Sequence, residues 1–293
     1  MDPKIFNYFN KVTQILRFTE HTQHKVTING AKETGMMYVH GFRSATTGTG
    51  NYANPKKDEN GKQLEAQAMK SMKEVDQFLQ QRVFLLAPGC LAANNQHARK
   101  NNSPSFSWDN LDKEQEEYKV MTILGSNLTW THSNFSNKSH LEYNNSSPFA
   151  YVMSAPTFSK SSKLASKEDG HDVVGGEFLF PSLNIFVDLN RGDGIYKIMW
   201  EANQYQHQTM ASREPSQKFT RLGCSVQVNA TLSSVLTDRL KEEAPKQSTL
   251  KKQAPKQSTL KKKAPKQSTS KKQAPKKSSS SKHKPRSSSS EQA

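Results

Sequence analysis

The sequence predicts an α+β protein with an antiparallel sandwich or jelly roll in its second half and a disordered C-terminal tail. Three observations predict it. Two early stretches carry apolar residues at helical spacing, and from Leu128 onward the apolar period falls to two, with turn residues between the runs. Residues 241–293 contain no aromatic and no β-branched apolar residue, so burial cannot offset the entropy of ordering them. Many short strands without intervening helices form antiparallel sheets.

The elements follow in order. Ile5, Phe9, Val12 and Leu16 make one face of a helix over residues 1–20. Val26 to Phe42 reads as two strands around Asn29-Gly30 and Gly35, and Asn51 to Gly61 as a polar loop. Leu64, Ala68, Met72, Val75, Leu79 and Val83 form the stripe of a second helix, which Pro88-Gly89 ends. A short acidic helix over about residues 109–118 leads into the apolar run Val120 to Leu124. Strands are predicted at Leu128–Thr131, Phe149–Met153, Glu177–Phe180, Ile185–Leu189, Ile195–Trp200 and Leu222–Val228. Gly175-Gly176 reads as the turn leading into one of them, because neither a helix nor a Lys-Ser/Thr pair follows, as a phosphate cradle requires.

Composition excludes several classes. Cys90 and Cys224 are too few for a disulfide scaffold and point to a reducing compartment. No apolar run reaches the ~18 residues of a membrane helix, and Met1-Asp2-Pro3-Lys4 does not begin a signal peptide. The expectation is a soluble intracellular protein without a membrane partner. No Gly-x-Ser-x-Gly elbow marks a hydrolase.

Charge divides the chain into a domain over 1–240 and a tail over 241–293. The tail holds 16 of the 42 Lys and Arg residues but only 3 of the 26 acids. Ala244-Pro245-Lys246-Gln247-Ser248-Thr249-Leu250-Lys251-Lys252-Gln253 recurs with small changes from Ala254, Ala264 and Ala274. At most one leucine per decapeptide cannot stack a solenoid, and a proline in each repeat interrupts any helix. Its composition is similar to that of linker-histone tails. A lysine-studded extended segment binds phosphates with release of counterions, so nucleic acid is the expected partner and the nucleus the expected location. A solubilising or import tail is the plainer alternative.

One constellation carries chemistry. His140 and Glu142 stand two residues apart after a strand, so on extended chain they point the same way. His207 follows the strand ending at Trp200 and supplies a second imidazole. Two imidazoles and one carboxylate suit Fe(II), leaving positions open for a cosubstrate and oxygen. Arg221, at the start of the last strand, can grip a distal carboxylate through paired hydrogen bonds. His132 and His171 also adjoin the strand half and are rival ligands.

The ordered runs Asn134-Phe135-Ser136-Asn137-Lys138-Ser139-His140-Leu141-Glu142, Ser147-Pro148-Phe149-Ala150, Gly175-Gly176-Glu177-Phe178-Leu179-Phe180-Pro181, Trp200-Glu201-Ala202-Asn203-Gln204-Tyr205-Gln206-His207 and Thr220-Arg221-Leu222-Gly223 resemble the fungal TET-like Fe(II)/2-oxoglutarate oxygenases. The resemblance covers about residues 125–230, with Met37 to Arg43 a looser match. It implies a double-stranded β-helix (jelly-roll) core with supporting N-terminal helices, iron held by His140, Glu142 and His207, and 2-oxoglutarate held by Arg221. The implied reaction is oxidation of a methylated base such as 5-methylcytosine, flipped from the duplex. Animal members place an asparagine five residues after the first iron histidine, an offset at which Asn145 stands as a base contact or a turn asparagine. Relatives carry Asp where this chain has Glu142, whose extra methylene carries the carboxylate ~1.5 Å further out. A decayed, purely nucleic-acid-binding domain and an oxygenase of another substrate are the alternatives.

Overall fold

The computed structural model describes residues 2–26, 35–44, 50–52, 58–108, 120–143 and 145–232. Contacts divide the chain into Met1–Thr249 and Leu250–Ala293, and every described residue belongs to the first unit. The expected tail and the acidic helix over residues 109–118 lie outside the described residues, as does most of the first strand expected after Val26.

Helix α1 spans Pro3–Thr19, with Pro3 in its first turn and Asp2 as its cap, accepting from the Lys4 N–H at 2.7 Å. Its stripe is buried at Phe9, Val12 and Leu16. Helix α2 spans Glu59–Leu86, capped by Asp58 on the Gly61 N–H at 2.8 Å. The two meet edge to face at Phe9 and Phe78, with ring centroids 4.7 Å apart. Each such buried side chain contributes roughly 1.5–3 kcal/mol, so docking rather than helix propensity holds these helices.

Pro88-Gly89 does not simply end α2, as the sequence suggested. Pro88 opens a third helix, α3, over Pro88–Lys100. Proline ahead drives Ala87 out of the helical region, to φ −155° and ψ 79°, while proline itself suits a first helical turn. Met121–Gly125 form no strand, although Ile123 and Leu124 are buried.

Strands β1 (Met36–Ser44), β2 (Gly50–Tyr52), β3 (Asn127–His132) and β4 (Ala150–Phe158) belong to the main sheet. The short strands β5 (Val174–Gly175), β6 (Phe178–Phe180) and β7 (Ile185–Val187) come next. They are followed by β8 (Tyr196–Trp200), β9 (Gln208–Thr209), β10 (Ser212–Arg213) and β11 (Phe219–Gln227). The main sheet runs β2-β1-β3-β11-β4-β8, antiparallel throughout. A three-stranded sheet runs β7-β6-β9, and β10 pairs with β5. The architecture is mixed helix and antiparallel sheet, and the described strands form these separate sheets rather than a closed barrel.

Helices do not all precede strands: β1 lies between α1 and α2 in the chain and pairs with β3. The expected loop over residues 51–61 likewise carries the end of β2 and the start of α2. Strand β4 runs on through Pro156, which the shorter β8 does not reach, so its missing N–H breaks no ladder on that side.

Register assigns the faces of the main sheet. Cys224 sits between Trp130 and Met153, and all three are buried in the core shared with the helices. One residue earlier, Gly223 sits between Thr131 and Ser154 on the opposite face. Arg221, Val152 and Ile198 share that second face, where the cleft lies.

Candidate metal centre

The segment after β3 runs alongside the chain entering β9 and is pinned to it at three places. Asn137 N–H donates to the Thr209 carbonyl at 3.1 Å, and Glu142 N–H to the Ala202 carbonyl at 3.1 Å. Between them His140 and His207 form an isolated antiparallel bridge, exchanging backbone hydrogen bonds of 3.1 and 3.0 Å. Their rings lie 4.4 Å apart, centroid to centroid.

Ligand atoms of His140, Glu142 and His207 lie within 4.8 Å of one another, the one such cluster of His, Cys, Asp or Glu among the described residues. Glu142 Oε1 is 3.0 Å from His140 Nε2 and 4.0 Å from His207 Nε2. Neighbouring ligands of an octahedral ion with bonds near 2.1 Å stand about 3 Å apart, so this donor set fits a first-row divalent metal. His140 Nδ1 faces the Lys138 carbonyl at 2.8 Å, which keeps a proton there and leaves Nε2, now hydrogen-bonded to Glu142, as the atom that would ligate once deprotonated. His207 Nδ1 faces the Tyr205 carbonyl at 3.2 Å and the Trp200 indole N–H at 3.3 Å. One tautomer cannot serve both, and ligation through Nε2 requires donation to Tyr205.

The two imidazoles differ electrostatically. Hydrogen bonding to Glu142 raises the His140 pKa above its ordinary value, and the same bond lowers that of Glu142. His207 is buried, and desolvation lowers its pKa. Phe178 stacks on its ring and Trp200 meets it edge-on, with centroids 5.9 and 4.9 Å away.

Two adjoining hollows open beside the cluster. One, of about 120 Å3, is walled by Glu142, His207 and Trp200. The other, of about 60 Å3, is walled by Arg221, Tyr196 and Ser212. Thr131, Phe135, Val152, Phe178, Thr209 and Gly223 line both, so they are two lobes of one cleft. Gly223 stands two residues from Arg221, about 7 Å along β11. A Cβ there would come 2.9 Å from Thr131 Oγ1, so glycine keeps the floor of the cleft low.

Arg221 is half-buried. Its Nη1 donates to the Gly175 carbonyl at 2.7 Å and its Nη2 to Asn190 Oδ1 at 2.6 Å. Both partners are neutral, and among the described residues no carboxylate forms an ion pair with it. Burial lowers its pKa, yet a guanidinium stays charged. Glu177, Asp188 and Glu214 lie near enough to favour its charge without pairing with it, so the cleft is lined by a cation held by neutral oxygens.

The other sequence candidates lie elsewhere. Asn145 is buried, its Oδ1 accepting from the Ser147 N–H at 2.9 Å and its carbonyl from Asn203 Nδ2 at 2.6 Å. It lines neither lobe and serves its own turn, and Asn144 lies outside the described residues. His132 packs on the helix side, its Nε2 3.0 Å from Glu20 Oε1 and its ring stacked on Tyr38. His171 meets Phe219 edge-on, away from the cluster. Sequence reasoning missed Asn190, which looks like any turn asparagine, and saw in Gly175-Gly176 a turn but not a carbonyl aimed at Arg221.

A family model described as the Tet-like 2OG-Fe(II) oxygenase superfamily matches residues 2–212. The matched span contains His140, Glu142 and His207 and ends before Arg221. No curated protein matches the chain.

Proposed function

The chain belongs to the Tet-like 2OG-Fe(II) oxygenase superfamily, whose cofactors are Fe(II) and 2-oxoglutarate, and we propose that it oxidises a methylated nucleic-acid base resembling 5-methylcytosine. The observation that carries the oxygenase reading is the convergence of His140, Glu142 and His207 beside a cationic Arg221 in the same cleft. The base rests on the family and on the tail of 16 basic and 3 acidic residues.

The chemistry that iron supplies when bound is coupled oxidation. One oxygen atom of O2 enters succinate as 2-oxoglutarate loses carbon dioxide, and the other enters a substrate C–H bond. The protein's part is positional. His140 and His207 present Nε2 and Glu142 its carboxylate, while the Lys138 and Tyr205 carbonyls hold the Nδ1 protons. Phe178 and Trp200 exclude water from the buried side of His207. Arg221 takes the far carboxylate of 2-oxoglutarate, and the bare Gly223 leaves room for its carbon chain.

In this reading the main sheet and the β7-β6-β9 sheet are the two walls of a double-stranded β-helix, joined at the His140–His207 bridge. Residues 1–240 form the oxygenase domain. Residues 241–293 are a basic arm that holds the enzyme to nucleic acid in the nucleus.

The test is succinate release from 2-oxoglutarate by purified full-length protein with Fe(II), ascorbate and duplexes carrying 5-methylcytosine. The expected result is release that scales with methylated sites and is abolished by His207→Ala. Release equal to that of the variant across DNA and RNA substrates overturns the reading in favour of a binding protein.

A further inference from the structure

Arg221 does not hold its own orientation. Asn190 accepts from its Nη2 at 2.6 Å and donates from Nδ2 to the Gly175 carbonyl at 3.1 Å. That carbonyl also accepts from Arg221 Nη1, at 2.7 Å. Guanidinium, amide and carbonyl thus close a three-membered ring of hydrogen bonds. The ring is anchored at each corner. The Asn190 backbone N–H donates to Asp188 Oδ1 at 2.8 Å, in the turn after β7. Gly175 and Gly176 both have left-handed backbones, at φ +82° and +76°, which aim the carbonyl at the arginine. A Cβ on Gly176 would stand 2.6 Å from Arg221 Nη1, so the second glycine is the space the guanidinium occupies.

Two of the five guanidinium N–H groups are held by neutral oxygens, which leaves three, and Glu177, Asp188 and Glu214 favour the charge without pairing with it. We infer that Asn190 is a positioning residue for Arg221, clamping one edge of the guanidinium so that the other faces the cleft as a ready site for the far carboxylate of 2-oxoglutarate. The inference rests on the cosubstrate role proposed for Arg221. An amide suits the task because it orients the cation without neutralising it. Aspartate at 190 would pair with the charge and compete with the ligand, and it would turn an oxygen toward the Gly175 carbonyl. Alanine would free the guanidinium to swing.

The experiment uses full-length protein with Mn(II) in place of iron. It measures the dissociation constants of 2-oxoglutarate and of oxalate, which chelates metal but has no far carboxylate. Asn190→Ala and Asn190→Asp are each expected to weaken 2-oxoglutarate tenfold or more, with oxalate and Mn(II) affinities within twofold of the parent. Arg221→Ala is the reference. If it loses 2-oxoglutarate while Asn190→Ala keeps parental affinity, the positioning role is overturned. Equal weakening of oxalate and 2-oxoglutarate in the Asn190 variants overturns it too, since that marks general damage to the site. If Arg221→Ala itself binds 2-oxoglutarate normally, the failure lies in the role given to Arg221, and the inference falls with it.

Discussion

His140 and His207 give each other a backbone hydrogen bond, at 3.1 and 3.0 Å, so two candidate ligand positions are joined through the main chain independently of any metal. The pairing does not depend on the imidazoles. His140→Ala, at a partly exposed position, is therefore expected to remove metal binding and leave the unfolding midpoint within a few degrees of the parent. His207→Ala opens a gap against Phe178 and Trp200 and is expected to cost about 1–2 kcal/mol besides. Metal titration and urea unfolding of both variants check this. Loss of the folded state in His140→Ala would show that the imidazole, not the main chain, holds the segment.

The metal site competes with a proton. His140 has a raised pKa because of Glu142, and it must be deprotonated at Nε2 to ligate. Metal affinity is accordingly expected to rise with pH through the neutral range, with net proton release on binding. Metal-free protein behaves in the opposite sense: the raised His140 stabilises the fold below its unfolded pKa, a contribution lost as pH climbs through the folded value. Lowered Glu142 stabilises above its own unfolded pKa, and that contribution is lost as pH falls through the folded value. Calorimetry in two buffers of different ionisation enthalpy reads the proton release, and none at neutral pH would contradict the assignment.

Gly223→Val tests the floor of the cleft. The backbone there is an ordinary strand that accepts valine, but the side chain would push past Thr131 Oγ1 into the space shared by the two lobes. A tenfold or greater loss of 2-oxoglutarate affinity is expected with metal affinity unchanged. Retention of both affinities would remove Gly223 from the cosubstrate path.

His40 dominates a different pH response. It is buried under α2, with Nδ1 3.6 Å from Glu65 Oε1, and burial lowers its pKa to about 4. The unfolded chain takes up a proton near pH 6.5 that the folded one refuses, so stability falls as pH drops from there toward 4, by up to about 3 kcal/mol. Glu65 is shifted upward by burial and has the opposite slope, weakening the fold as pH rises through its folded value. Both groups are thus driven toward neutrality. His40→Gln is expected to flatten the acid limb of stability measured by urea unfolding between pH 7 and 5. An unchanged limb would assign the proton uptake to other histidines.

For the tail, deletion of residues 241–293 is expected to weaken duplex DNA binding tenfold or more at low salt. It should also reduce the slope of log affinity against log salt. Equal affinities with and without the tail would leave it an import or solubilising segment.

The sequence made some of this legible and hid the rest for physical reasons. Helical spacing found the buried stripes of α1 and α2, and alternation found β3, β4, β8 and β11, because periodicity is what burial on one side imposes. The two-residue strands β5, β9 and β10 are too short to show a period. Pro88 misled because proline stops one helix and starts another equally well. His140 and Glu142 were visible as a pair because extended chain sends alternate side chains the same way. Asn190 was not, since its partner Arg221 is thirty-one residues away and only folding brings them together.

The pleat of the main sheet has one more consequence. On β11, Leu222, Cys224 and Val226 belong to the core shared with the helices, while the register puts Arg221, Gly223 and Ser225 on the opposite face of the sheet. A substitution at Ser225 changes the wall of one lobe without removing a side chain of the core beneath it, whereas Arg221 and Gly223 are fixed by what they contact. The shape of the cleft and the packing of the core are therefore separable at alternate positions of this one strand.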